Sequence, residues 1–153
     1  MQPISAPLAS SDPSLPEIAI AVDRRTLNQC SWRGSAEDGR EFAFALAAPL
    51  RHGEVVFQTG SARYAIRQRP ESVLEIALEV APSAAAGIGW AIGNLHAELA
   101  AEPGRLLTPD VPPTRHLLDR LRVAYRAGNA VFRPGRFARG ESPLPVPDPG
   151  HRH

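Results

Sequence analysis

The amino-acid sequence predicts an α+β protein whose first half is rich in β-structure. Short apolar runs separated by glycine-containing turns fill residues 17–70, whereas two later segments place apolar residues at i, i+3 and i+7. Short or alternating apolar runs are typical of strands, and the wider spacing is typical of amphipathic helices. The 153 residues are enough for one domain or two small ones.

The N-terminal region predicts a disordered lead followed by a small barrel or sandwich. Residues 1–16 are rich in serine and proline, and they lack the charged start and apolar core of a signal peptide. Within residues 17–70, the expected strands are the apolar or alternating runs at 18–22, 42–46, 55–57 and 64–66. We therefore expect a β-rich N-terminal domain over 17–70.

The first helix of the second half is expected to begin at Pro82, where the missing N–H of proline has no helical partner to lose. A strand at residues 73–78 precedes it. Gly93-Asn94 is expected to end it, because glycine and asparagine tolerate the left-handed conformation. The many alanines and glycines of this helix favour close packing on a sheet.

A hairpin turning at Pro103-Gly104 is expected to follow that helix. A second helix then starts at Pro112, with Arg115 and Asp119 as an i, i+4 ion pair, and Gly128-Asn129 is expected to stop it before a last strand at 130–132. The resulting order β-α-β-β-α-β is that of a ferredoxin-like domain, expected over 71–137. Residues 138–153 are expected to be a flexible tail ending in histidine.

Composition excludes several classes of function. The net charge is +1, which gives no reason to expect a nucleic acid or a membrane surface as partner. Cys30 is the single cysteine, so neither an intramolecular disulfide nor a cysteine-rich zinc site can form. No apolar run reaches the roughly 18 residues of a membrane span, and the sequence has no nucleophile elbow, His-Glu-x-x-His motif or phosphate loop. We expect a cytoplasmic protein that is not an enzyme.

Histidine is the residue type that suggests chemistry. His96 follows Gly93-Asn94-Leu95 at the expected end of the first helix, and His151 and His153 close the sequence. On pattern alone, His96 is more often a surface or capping residue, and the last two are as easily a polar end as metal ligands. His116 lies in the first turn of the second helix, and His52 is expected to be exposed in a turn.

Five motifs in order resemble the UreE family of urease accessory proteins, which are nickel metallochaperones. The most specific is Gly93-Asn94-Leu95-His96, similar to the Gly-Asn-Arg-His of that family. The other four lie at residues 37–46, 50–56, 71–76 and 115–121. The resemblance as a whole covers roughly residues 21–137.

The resemblance implies a homodimer that delivers Ni²⁺ during assembly of the urease active site. It implies that His96 from two subunits shares one ion, that His151 and His153 complete or supply the site, and that His116 is a less favoured ligand. Imidazole ligands also suit Cu²⁺, Zn²⁺ and Co²⁺. The implied partners are the urease apoprotein and urease accessory proteins including a GTPase, engaged by the N-terminal domain.

Two alternatives remain open at the level of sequence. The chain can be a protein-interaction module that keeps this fold and has lost metal binding. It can also be a small metal-dependent hydrolase that uses His96 and His116 with Asp110, which requires the three side chains to lie together around one ion. A further open point is the arginine-rich strand with Arg63, Arg67 and Arg69, which is either a solvated face or a patch for an anionic partner.

Overall fold

Ten strands and three helices are present in residues 1–135, the part of the chain that the computed structural model describes. The α+β class is therefore confirmed. The chain divides into two units, Met1–Pro70 and Glu71–His153. The expected tail, 138–153, lies outside the described residues.

Two three-stranded sheets build the first unit. One sheet has the order β1 (Gln2–Ile4), β4 (Glu41–Ala45), β3 (Ser31–Ser35), and the other has the order β2 (Glu17–Val22), β6 (Arg63–Gln68), β5 (Val55–Gln58). A one-turn helix, α1 (Arg24–Leu27), lies between β2 and β3. Ile20, Phe42 and Ile66 are fully buried in one core that both sheets share.

The first residues of the chain are ordered, and the expectation of a disordered lead over 1–16 is wrong for them. Strand β1 pairs in parallel with β4, and Ile4 is buried in the core. Leu8 then donates its N–H to the carbonyl of Val55 at 2.8 Å. Pro3 is tolerated because β1 is an edge strand, where a missing N–H need not break the ladder.

The second unit has the predicted element order. It comprises β7 (Glu71–Ala77), α2 (Pro82–Asn94), β8 (Ala100–Glu102), β9 (Arg105–Pro109), α3 (Pro112–Arg120) and β10 (Arg126–Ala130). Its four strands form one antiparallel sheet in the order β10-β7-β9-β8. Each helix therefore returns the chain along the sheet. The C-terminus of α2 and the N-terminus of α3 consequently lie at the same end of the sheet.

Both faces of this sheet are covered. Leu74 and Ile76 of β7 belong to a core with Ile92 of α2 and Leu118 of α3. On the opposite face a second cluster forms around Phe132, which is 1% exposed; it also contains Val73, Ala100 and Leu107.

Phe132 belongs to residues 131–135, which we call the strap. The strap starts after β10, and its last residue, Gly135, donates its N–H to the carbonyl of Leu99 just before β8. Since β10 and β8 are the two edges of the sheet, the strap crosses from one edge to the other.

The end of α3 differs from the prediction. The helix stops at Arg120, and Arg122 takes a left-handed conformation with φ 54°. Val123 donates its N–H back to the carbonyl of Leu118 at 2.9 Å, which closes the helix there. Gly128 and Asn129 consequently lie inside β10, so the last strand is 126–130 rather than 130–132.

The expected ion pair on α3 is also wrong. Arg115 reaches back and donates two hydrogen bonds to the carboxylate of Asp110, at 2.6 and 2.7 Å. Asp119 instead accepts from the hydroxyl of Tyr125 at 3.0 Å. Two parallel hydrogen bonds to one carboxylate are stronger than a single contact across a helical turn, which explains the choice of partner.

Acid should weaken the first unit partly through Asp38. Hydrogen bonds from the backbone N–H of Arg40 and from the Tyr64 hydroxyl lower the pKa of Asp38 below its ordinary value of 3.8. A lowered pKa stabilises the fold above pH 3.8, and that contribution is lost as the pH falls through the lower, folded-state pKa. Urea unfolding should show Tyr64→Phe less stable than wild type at pH 7 and closer to it at pH 2.5. A difference that is equal at both pH values would contradict this role.

Candidate metal site

His96 follows α2 and takes the left-handed conformation, with φ 57°. Its N–H bonds to the carbonyl of Gly93 at 2.9 Å, and the N–H of Ala97 bonds to the carbonyl of Ile92 at 3.3 Å. This pair of bonds is the Schellman motif, which commonly ends helices with a glycine in the left-handed position. Here that position is His96.

The sequence placed the helix end correctly to within two residues but chose the wrong left-handed residue. Gly93 and Asn94 stay helical, and Leu95 is the C-cap in the right-handed conformation. A residue with a Cβ in the left-handed region costs roughly 1 kcal/mol. Such a conformation persists only where the surrounding structure maintains it. The backbone of His96 is thereby fixed, whereas its imidazole is exposed.

The loop from His96 to Leu99 is held by two further hydrogen bonds. The hydroxyl of Thr108 on β9 donates to the carbonyl of Glu98 at 3.0 Å. The N–H of Gly135 in the strap donates to the carbonyl of Leu99 at 2.9 Å. Helix, sheet and strap therefore all contribute to the position of this loop.

In the described residues, His96 forms no metal-holding group of three with the other candidates, His116 and Asp110. His116 is exposed on α3, at the same end of the second unit as His96. Asp110 is paired with Arg115, and that hydrogen-bonded guanidinium lowers the pKa of the Asp110 carboxyl. His151 and His153 lie outside the described residues.

The hydrolase hypothesis gains no support from this arrangement. It requires His96, His116 and Asp110 to surround one ion. Among residues 1–135, no three His, Cys, Asp or Glu side chains form a group that could hold a metal.

In the first unit, His52 is half-buried rather than exposed, and its Nδ1 accepts from the backbone N–H of Gln68 at 3.0 Å. This contact gives His52 a structural role in joining the turn before β5 to β6. Arg63 and Arg67 both pair with Glu17 on the neighbouring strand β2. Those ion pairs favour a strand face that is satisfied within the chain over a patch for an anionic partner.

One surface next to His96 escaped the sequence prediction. Helix α2 contains no charged residue, and its solvent side carries Ala86, Gly87, Trp90 and Gly93, which we call the α2 outer face. Trp90 is 72% exposed. An added Cβ on Gly87 or Gly93 would meet nothing within 4 Å. The composition predicted that the glycines of α2 would allow close packing on the sheet. Gly87 and Gly93 face outward instead.

The signal for this surface is present in the sequence. Ala85, Ile88 and Ile92 form the stripe that faces the sheet, and Trp90 lies off that stripe. A large exposed aromatic residue beside small residues on an uncharged helix makes this face a candidate contact surface.

Comparison with known proteins gives concordant matches. Residues 71–153 match the family model described as UreE urease accessory protein, C-terminal domain. The urease accessory protein UreE of Deinococcus radiodurans is 33% identical over 114 residues, which cover 73% of this chain and 71% of that protein. The urease accessory protein UreE of Bifidobacterium longum subsp. infantis is 33% identical over 82 residues, covering 54% of this chain and 37% of that protein.

These matches place the chain among the accessory proteins of urease maturation. Within that class, the chain belongs to the UreE family. In the described part of the chain, no helix has the length and apolar character required to cross a membrane.

The left-handed turn at His96 gives a stability prediction. His96→Gly should raise the free energy of unfolding by about 1 kcal/mol, because glycine adopts this conformation without a Cβ clash. Arg122→Gly is the matched variant, since Arg122 occupies the same position after α3. Urea unfolding should show both variants to be stabilised. Destabilisation by His96→Gly with stabilisation by Arg122→Gly would show that the imidazole itself supports the fold.

Proposed function

We propose that this chain is a nickel-binding metallochaperone that delivers Ni²⁺ during assembly of the urease active site. In this proposal the metal is held by His96 from each of two subunits, with help from His151 and His153. The single observation that carries it is an exposed imidazole on a fixed backbone in a member of the UreE family.

A symmetric dimer would supply two imidazoles although each chain contributes only one His96. One histidine is a weak ligand, but a symmetric interface presents every residue twice, so a single His96 in the sequence supplies two ligands. A fixed backbone lowers the cost of bringing the two rings to one ion, because less conformational freedom is lost on binding. This is the benefit expected from the strained turn.

The α2 outer face supports a dimer through the second unit. Its residues are small or aromatic and uncharged, and small residues let two helices approach closely around Trp90. A second copy of the same face is a fitting occupant because an uncharged surface does not repel itself. His96 lies two residues beyond the end of α2, so pairing of these helices can place the two imidazoles near one axis.

The strap supports a contribution from the C-terminal histidines. It ends at Gly135, which is bonded to Leu99, and Leu99 lies three residues after His96. From Gly135 to His151 the chain has sixteen residues, a length that can span up to about 50 Å. The start of the tail is therefore close enough for His151 and His153 to reach the metal.

Imidazole ligands do not by themselves select nickel. The Irving–Williams order makes Cu²⁺ the tighter ion, and Zn²⁺ and Co²⁺ also accept this ligand set. We propose that selectivity comes from cellular supply and from docking on partners, namely the urease apoprotein and accessory proteins including a GTPase. The β-rich first unit is the proposed surface for these contacts.

Nickel titration followed by native mass spectrometry tests the metal site. Wild type should bind one Ni²⁺ per two chains, and His96→Ala should lose that ion. His116→Ala is the control, because it removes an exposed histidine from the same end of the unit. Equal nickel binding by wild type and His96→Ala would show that His96 is not the ligand, and absence of binding by both would favour the alternative of an interaction module without metal.

Sedimentation of metal-free protein tests the dimer. Trp90→Arg should give monomers at concentrations where wild type is dimeric, because it places a charge in an apolar contact. Its nickel affinity should fall at least tenfold although His96 is intact. Leu121→Arg is the control, since Leu121 is an exposed apolar residue, 44% exposed, after α3. A dimeric Trp90→Arg protein would exclude the α2 outer face as the interface.

A further inference from the structure

Thr108 is a buried polar side chain in an otherwise apolar stretch of β9. It is fully buried and lies opposite Leu74 in the sheet, on the face covered by the helices. A hydroxyl in such a place is costly unless it is hydrogen-bonded, and valine would fill the same space without that cost. The choice of threonine therefore points to its acceptor, the carbonyl of Glu98 at 3.0 Å.

The acceptor belongs to the loop that carries His96. Glu98 follows His96 by two residues, and the next carbonyl, that of Leu99, is bonded to Gly135 of the strap. The side chain of Leu99 lies against α2, with its Cδ2 3.7 Å from an ideal Cβ on Gly89. The downstream side of the loop is thus fixed by the sheet, the strap and the helix.

We infer that Thr108 is a positioning residue for His96, an assignment that rests on the proposed function. Its hydroxyl holds the Glu98 carbonyl and so keeps His96 in the left-handed turn that aims the imidazole. In a site shared by two identical subunits, any displacement of the His96 loop occurs in both copies. Ligand geometry must be held to about 0.5 Å, so a loosened loop weakens binding without removing a ligand.

The chain provides a matched control for this residue. Thr114 on α3 is also fully buried; its hydroxyl shares its one proton between the carbonyls of Pro109 and Val111, at 2.7 and 2.8 Å, and accepts from the N–H of Val111 at 3.3 Å. Thr108→Val and Thr114→Val each remove one buried hydroxyl and leave backbone carbonyls without that donor. Only Thr108→Val affects the loop of His96.

Competitive Ni²⁺ titration and amide hydrogen exchange on the metal-free protein test the assignment. Thr108→Val should weaken nickel binding about tenfold and speed exchange of the His96 and Ala97 amides. Thr108→Ser should restore both to within about twofold of wild type, and Thr114→Val should change neither by more than that. Thr108→Ala, which also removes the donor to Glu98, should act in the same direction as Thr108→Val and decides the matter if Thr108→Val does not fold.

The outcomes separate this assignment from the proposed function. If His96→Ala abolishes nickel binding while Thr108→Val and Thr108→Ala bind like wild type, the carrier function stands and the positioning role is wrong. Equal losses in Thr108→Val and Thr114→Val would show a general effect of stability and would also overturn it. Absence of nickel binding in wild type would exclude the carrier function. Unchanged amide exchange in Thr108→Val would separately show that the Thr108 hydroxyl does not fix the His96 loop.

Discussion

The left-handed turn at His96 is the constraint on which the second unit depends. It ends α2, satisfies two carbonyls of the last helical turn and redirects the chain into β8. Glycine would perform this turn at lower cost, and in the proposed function the imidazole of His96 is what offsets that cost. Arg122 makes the same kind of turn after α3. The unit thus tolerates strain at both helix ends while its two apolar clusters hold the sheet between them.

Much of the second unit could be predicted from the sequence because its signals are local. Pro82 and Pro112 mark the first turns of the two helices, and Pro103-Gly104 marks the hairpin, as the structure shows. The helix ends were less predictable. Glycine and asparagine at 93–94 and 128–129 look like stop signals, but the hydrogen-bonding of the following residues decides where a helix closes. That pattern depends on where the next strand must begin.

Long-range contacts explain the remaining differences. Strand β1 exists because β4 offers an edge, and Arg115 finds Asp110 because the chain turns back between β9 and α3. The candidate site likewise contains residues that a local motif reveals and residues that only long-range contacts reveal. His96 was singled out as a candidate from a four-residue motif, and Trp90 could have been found from its place off the apolar stripe of α2. Thr108, by contrast, acquires meaning only from the carbonyl of Glu98 that the fold puts beside it, and it could not be read from a window of neighbouring residues.

The strap makes the residues that follow β10 part of the folded second unit. Residues up to Gly135 complete the sheet, because Phe132 closes the apolar cluster on its second face. A deletion that starts at residue 131 would therefore expose Val73 and Leu107 together with removing the histidines, and its phenotype would mix misfolding with loss of ligands.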